Sequence, residues 1–169
     1  MKPILSELSR RRKLHLLLRH LPVGSRVLEV GSGDQWFSRQ LRKAGMQVTT
    51  LDLKPPADIV GNILHWRNLG IKSGQFDAVV ALEVIEHVDC IESLKALCRD
   101  EGLLFLSSPL PSGDRFMRWL ENLHLTQHRT SPHCNLTDFR TLPLVPLVLK
   151  RPLFIHQVGL FLNRRPAIQ

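Results

Sequence analysis

Two groups of residues in this sequence have types and spacings that could do chemistry. The first is the run Glu29-Val30-Gly31-Ser32-Gly33-Asp34. It follows the apolar segment Arg26-Val27-Leu28 and precedes a helical pattern, so it reads as a glycine-rich turn between a buried strand and a helix. Such a turn points to a nucleotide-like ligand without saying which one. A dinucleotide loop wants a third small residue where this chain has Trp36, so that the helix N-terminus can meet a pyrophosphate. That tells against a nicotinamide oxidoreductase. Glu29 and Asp34 would repel a phosphate, and no Lys-Ser or Lys-Thr follows to make a P-loop. A cationic ligand without phosphate suits the same residues. Glu29 can attract an ammonium directly or through water, and the glycines let backbone come close.

Asp52 ends the next strand pattern on the same side, and its two acceptor oxygens match the two hydroxyls of a ribose. S-adenosylmethionine carries a sulfonium, an ammonium and a carboxylate on an adenosine, and it fits this set. The second group is Glu83-Val84-Ile85-Glu86-His87, placed just after the apolar run Phe76–Leu82. Methyl transfer is an in-line displacement at carbon, so most of the work is positioning. An oxygen nucleophile also needs its proton removed, and a histidine titrates in the right range. His87 and Glu83 are therefore the candidate catalytic pair. A structural hydrogen bond at a helix start is the competing reading of His87.

The elements that must position these residues follow from periodicity. Pro3 to Leu21 reads as a helix with an apolar stripe of Ile4, Leu5, Leu8, Leu16, Leu17 and Leu18. Its basic run, Arg10 to Lys13, is expected to stay in water. Strands are expected over Ser25–Val30, Gln47–Leu53, Asp58–Asn62, Phe76–Leu82 and Gly102–Ser107, and helices over Gln35–Ala44 and Ile91–Arg99. Strands alternating with helices mean an open, mostly parallel α/β sheet. After Pro109 the pattern loosens. Asp114–Leu123 and Leu136–Leu142 read as helices, Thr126–Asn135 as irregular, and Leu144–Leu149 with Phe154–Leu162 as a closing antiparallel pair. The stretch Pro143–Leu162 is too broken by Pro146, Lys150, Arg151 and Pro152 to span a membrane as a helix.

With these segments in order, the chain resembles the class I S-adenosylmethionine-dependent methyltransferases, and among them the type 11 group that includes quinone-biosynthesis O-methyltransferases. The resemblance rests on Val27–Gly33, Val48–Asp52, Phe76–Val88 and Gly102–Pro109, and fades beyond. It implies a Rossmann-like, mostly parallel seven-stranded sheet of order 3-2-1-4-5-7-6 with helices on both faces. It also implies S-adenosylmethionine as cofactor. Gly31, Ser32 and Gly33 would line the methionine part beside Glu29, and Asp52 would hold the ribose. Leu53, Asn62 and Ile63 would complete the cofactor set, with Asn62 near the adenine, and Leu82 and Glu83 would lie beside the methyl group. One departure stands out: Gln35 takes a place where the family often has glycine. Glu-x-x-Glu-His also resembles the metal-binding segment of some quinone and small-RNA methyltransferases, with His124, His128 or His133 available as a further ligand. The same five letters occur in type 11 proteins that use no metal, and none is assigned.

Composition sets the outer limits. The 169 residues, 43% hydrophobic and 22% charged, fit one globular methyltransferase domain. Its expected parts are the helix over 1–21, the cofactor core over 25–109, and a substrate-side segment with closing strands over 110–169. The net charge of +8 favours acidic partners and does not choose among a metabolite, RNA and a membrane surface. Cys90, Cys98 and Cys134 share no ligand spacing, which makes a reducing, cytoplasmic setting the default. The leading expectation is methyl transfer to a small-molecule acceptor, acidic or hydroxyl-bearing, at oxygen. The segment His124–Arg129 with His133 would form the acceptor wall. RNA methylation, peripheral membrane contact, and a non-catalytic partner subunit that only binds cofactor stay open. Oligomeric state is not legible.

Overall fold

The computed structural model describes residues 4–110, 137–152 and 156–164, with side chains from Glu7 onward. The helix expected over Asp114–Leu123, the irregular segment 126–135, the histidines at 124, 128 and 133, and Cys134 lie outside the described residues. So do Pro3 and, as side chains, Ile4 and Leu5.

Seven strands form one sheet: β1 (Arg26–Val30), β2 (Gln47–Asp52), β3 (Ile59–Val60), β4 (Phe76–Leu82), β5 (Cys98–Pro109), β6 (Val145–Lys150) and β7 (His156–Asn163). Their order is β3-β2-β1-β4-β5-β7-β6. β1, β2, β3, β4 and β5 pair in parallel, while β7 runs antiparallel between β5 and β6. Helices α1 (Ile4–Leu18), α2 (Trp36–Lys43) and α3 (Ile91–Leu97) complete the frame.

The strands are apolar on both faces because each face is covered. Val27, Ala78, Val80, Phe105 and Leu160 pack under α1 and α2 against Leu16, Leu17, Phe37 and Leu41. Leu28, Val30, Val79, Leu104 and Leu106 pack on the opposite face against Trp66, Leu94, Leu97 and Phe139. This is why the central strands read as continuous hydrophobic runs rather than alternating ones.

Several boundaries differ from the sequence expectation. The third strand holds only Ile59–Val60, because Asn62 caps a 3₁₀ segment, Ile63–Leu69, that periodicity did not show. Its Oδ1 accepts from the Leu64 N–H at 2.9 Å. The helix expected to reach Arg99 stops at Leu97. Cys98 already pairs with Phe76, and an irregularity in that ladder hides the strand start from a reading of apolar runs. Within the helix expected over Leu136–Leu142, the described residues hold only a 3₁₀ turn, Phe139–Thr141, capped by Asp138. Among the described residues, no helix is long and apolar enough to cross a membrane.

Asn163 locks the end of β7. Its buried Nδ2 donates to the carbonyls of Lys95, Cys98 and Arg99 at 2.9–3.1 Å, tying β7 to the junction where α3 passes into β5. Removing a buried donor leaves acceptors unpaired, at about 1–3 kcal/mol. Asn163→Ala is expected to lower the unfolding free energy by about 2 kcal/mol in a urea titration. A shift within error of zero would show that the turn holds without this anchor.

Candidate active site

The site is built where β1 and β4 end. The chain leaves β1 through Gly31, whose φ is +71°, and Gly33, whose φ is +47°. Gly31 has no room for a side chain, since a Cβ there would meet Val84 Cγ2 at 2.5 Å. The Gly31 N–H donates to Leu51 O at 2.8 Å, and the Gly33 N–H donates to Asp52 Oδ2 at 2.9 Å. Asp52 therefore holds the loop from the end of the neighbouring strand. Its carboxylate can still accept further bonds, because each oxygen has two lone pairs.

Gln35 occupies the left-handed region at φ 55°, ψ 20°. This explains physically why glycine suits that position. Its Nε2 donates to Pro56 O at 2.5 Å, a contact that offsets part of the strain. The substitution thus ties the loop to the cis Pro55-Pro56 segment.

A pocket opens above this loop, lined by Glu29, Gly31, Ser32, Gly33, Leu82 and Glu83. Arg10, Lys13, Asp34, Trp36 and Phe37 complete the wall. Glu29 is only 4% exposed and its Oε2 has no hydrogen-bond partner among the described residues; the buried Ser32 Oγ is in the same state. Burial pushes the Glu29 carboxyl up to about 7, against the lowering effect of hydrogen bonding from Ser38. A buried carboxyl oxygen and a buried hydroxyl that lack partners among the described residues, beside a glycine cradle, fit the ammonium end of S-adenosylmethionine. A bound cation would let Glu29 ionise.

The sequence expectation for the basic run of α1 needs correction. Arg11 and Arg12 are exposed, as expected. Arg10 and Lys13, three residues apart and so on one helical face, turn toward the pocket instead. Arg10 pairs with Asp34 at 2.9 Å and lies 5.9 Å from the centre of the Trp36 ring. Lys13 Nζ, on a side chain only 12% exposed, donates to Glu83 Oε1 and to Ser107 Oγ, both at 2.9 Å. Ser107 Oγ donates in turn to Glu83 Oε1 at 2.7 Å. Glu83 has a positive φ of 56°. Burial opposes its ionisation, but Lys13 and His156 overcome this and hold its carboxyl well below the usual range. Glu86, 1% exposed, is pushed up to about 8 by burial and by the Glu83 charge. Neighbouring carboxyls are thus pushed in opposite directions, Glu83 toward its ionised form and Glu86 toward its protonated form.

The remaining expected residues lie apart from the pocket wall. Leu53 is exposed, Asn62 caps the 3₁₀ segment, and the Ile63 side chain is buried in the core. His87 is exposed and is not among the side chains lining the pocket. Among the described residues, no three metal-binding side chains converge. Cys90 is buried and its thiol is pushed up to about 12, chiefly by burial, so it is no nucleophile. Lys13, Ser107 and His156 were not singled out from sequence. Lys13 sat inside a charge run, and the other two follow from strand pairing alone.

A family model described as a methyltransferase domain matches residues 6–143. The ubiquinone biosynthesis O-methyltransferase of Xanthomonas axonopodis pv. citri is 34% identical over 106 residues, covering 52% of this chain and 44% of that protein. The chain thus spans less than half the length of that curated relative. The fold is shared with the N-methyltransferase NodS of Bradyrhizobium japonicum, with TM-score 0.66, 18% identity, and coverage of 98% of this chain and 100% of that one. It is also shared with the Haemonchus contortus phosphoethanolamine N-methyltransferase 2 in complex with S-adenosylmethionine, with TM-score 0.51, 17% identity, and coverage of 70% and 34%.

The raised Glu29 value gives a signed expectation. Between pH 4.5 and about 7 the folded chain holds a proton at Glu29 that the unfolded chain has released. Stability from this group is therefore full at low pH and falls as pH rises through that window. Glu29→Gln, neutral at every pH, is expected to be more stable than the parent at pH 8, by up to about 3 kcal/mol, and to gain nothing below pH 4.5. The same variant should bind S-adenosylmethionine at least about tenfold more weakly. Urea midpoints at the two pH values and a calorimetric titration check both statements.

Proposed function

The chain belongs to the class I S-adenosylmethionine-dependent methyltransferase family, and on that premise we propose that it transfers the methyl group to a hydroxyl oxygen of a small-molecule acceptor. The observation that carries the reading is the partnerless buried pair Glu29 Oε2 and Ser32 Oγ at the glycine loop. The O-methyltransferase relative supports oxygen as the acceptor atom.

When bound, S-adenosylmethionine supplies an electrophilic methyl carbon on a good leaving group. The chain's own residues position and shield it. Glu29 takes the ammonium. The backbone at Gly31 and Gly33 lets the methionine part lie close. Asp52, already fixed by the Gly33 N–H, accepts from the ribose hydroxyls. Asn62, Leu53 and Ile63, outside the pocket wall at the ends of β2 and β3, are the chain's candidates for the adenine end, Ile63 through its backbone because its side chain is in the core. Leu82 and Glu83 border the methyl side, where an acidic side chain adjacent to an incoming hydroxyl helps to orient it.

Calorimetric titration with S-adenosylmethionine and S-adenosylhomocysteine tests the cofactor half. Asp52→Ala is expected to weaken both by about tenfold or more. Transfer of labelled methyl from the cofactor to catechols, phenols and hydroxy acids, with RNA alongside, tests the acceptor half. Label in the hydroxyl compounds is the expected result. Label in RNA alone would overturn the small-molecule reading, and binding without any transfer would leave a cofactor-binding subunit in its place.

A further inference from the structure

The geometry around Glu83 assigns a base to this reaction: we infer that His156, oriented by Glu83, takes the proton from the acceptor hydroxyl. The inference rests on the hydroxyl-acceptor reading above. His156 opens β7, and its register partner is Pro109, the last residue of β5. Because β7 is antiparallel, its first residue stands at the edge where the parallel strands end. Ligands bind at that edge in open α/β sheets.

Glu83 links His156 to the cofactor pocket. It lines that pocket through its own side chain. Its Oε1 is held by Lys13 Nζ and Ser107 Oγ at 2.9 and 2.7 Å. Its Oε2 faces His156 Nδ1 at 3.6 Å. Nδ1 is itself buried and has no hydrogen-bond partner among the described residues. The separation exceeds a hydrogen bond, yet catalytic contacts in ligand-free proteins are often long and tighten with substrate. Glu83 also keeps a left-handed backbone, the kind of strain that persists where the surroundings over-determine a residue.

Among the described residues, the groups that meet at Glu83 beside the ring come from several elements: α1 brings Lys13, the segment after β4 brings Glu83 itself with Glu86 nearby, and β5 brings Ser107. Lys13 neutralises much of the Glu83 charge, and burial with the Glu83 charge favours the protonated form of Glu86 beside it. Of the two neutral tautomers of the ring, an ionised carboxylate facing Nδ1 favours the one that carries its proton there. The lone pair is then on Nε2. The side chain is 40% exposed although Nδ1 is buried, so the accessible part of the ring lies away from Glu83.

The step balances. The acceptor oxygen forms a bond to the methyl carbon as the carbon–sulfur bond breaks, and that electron pair stays on sulfur. The hydroxyl proton passes to His156 Nε2 and then to water. Glu83 and Lys13 act through the imidazole and are positioning residues.

Long-range proton–nitrogen correlation spectra of the labelled protein read the tautomer directly. The expected result is a proton on Nδ1 of neutral His156, lost in Glu83→Gln in favour of Nε2. Wild-type His156 protonated on Nε2 would overturn the inference without any variant being made. In the methyl-transfer assay, His156→Gln is expected to lower kcat by about 100-fold or more, while S-adenosylhomocysteine affinity stays within about threefold. That retained affinity shows that the variant is folded. Full kcat in His156→Gln, or a loss confined to His87→Gln, would overturn the assignment while leaving hydroxyl methylation standing. A wild-type protein that binds cofactor and methylates no hydroxyl would overturn the acceptor reading, and the base assignment with it.

Discussion

Burying a carboxyl oxygen without a partner costs free energy, and here the cost falls on Glu29 Oε2 at the end of β1. Glu29 cannot be replaced by an apolar residue without removing what the pocket offers a cation. The residues near it close round the glycine loop. Val84 closes on Gly31, Asp52 pins Gly33, and α1 lies across the opening through Arg10 and Lys13. The sheet supplies the rigidity. β1 is paired on both sides, with β2 and β4, so its end does not move with the loops.

The second carboxyl pair shows the same physics with the opposite outcome. Glu83 is pushed toward its ionised form because a lysine and a serine hydroxyl meet it, whereas burial, then the Glu83 charge, pushes Glu86 toward its protonated form. Position within a few residues does not decide protonation; burial and partners do. Those partners come from α1, β5 and β7, elements far apart in sequence. The chemistry of the segment after β4 is therefore a property of the assembled sheet.

That explains which features were legible in the sequence. The parallel core was, because buried strands in an α/β sheet are apolar throughout and the glycine turn marks the ligand edge. Glu29, Gly31, Ser32, Gly33, Leu82 and Glu83 do meet in one pocket. Asn62 was legible as a polar residue near a strand end, but not its cap on the 3₁₀ segment, whose apolar residues follow neither strand nor helix period. The start of β5 was hidden by the charged run Arg99-Asp100-Glu101. Lys13 was read as solvated because a charge run gives no sign of which member turns inward. Only the packing of Leu16 and Leu17 onto the sheet fixes that face.

The antiparallel β7 seated between β5 and β6 also bears on how the protein is made. A chain emerging from the ribosome presents β1 to β5 first, with the open flank of β5 unpaired. β6 follows, but it pairs only with β7 and cannot close that flank. Long-range pairing of this kind is slow and leaves a sheet edge exposed in the meantime. The nascent chain thus passes through a stage with its cofactor loop encoded, an adhesive edge uncovered and His156 still to arrive. The open flank of β5 disappears when β7 slides in.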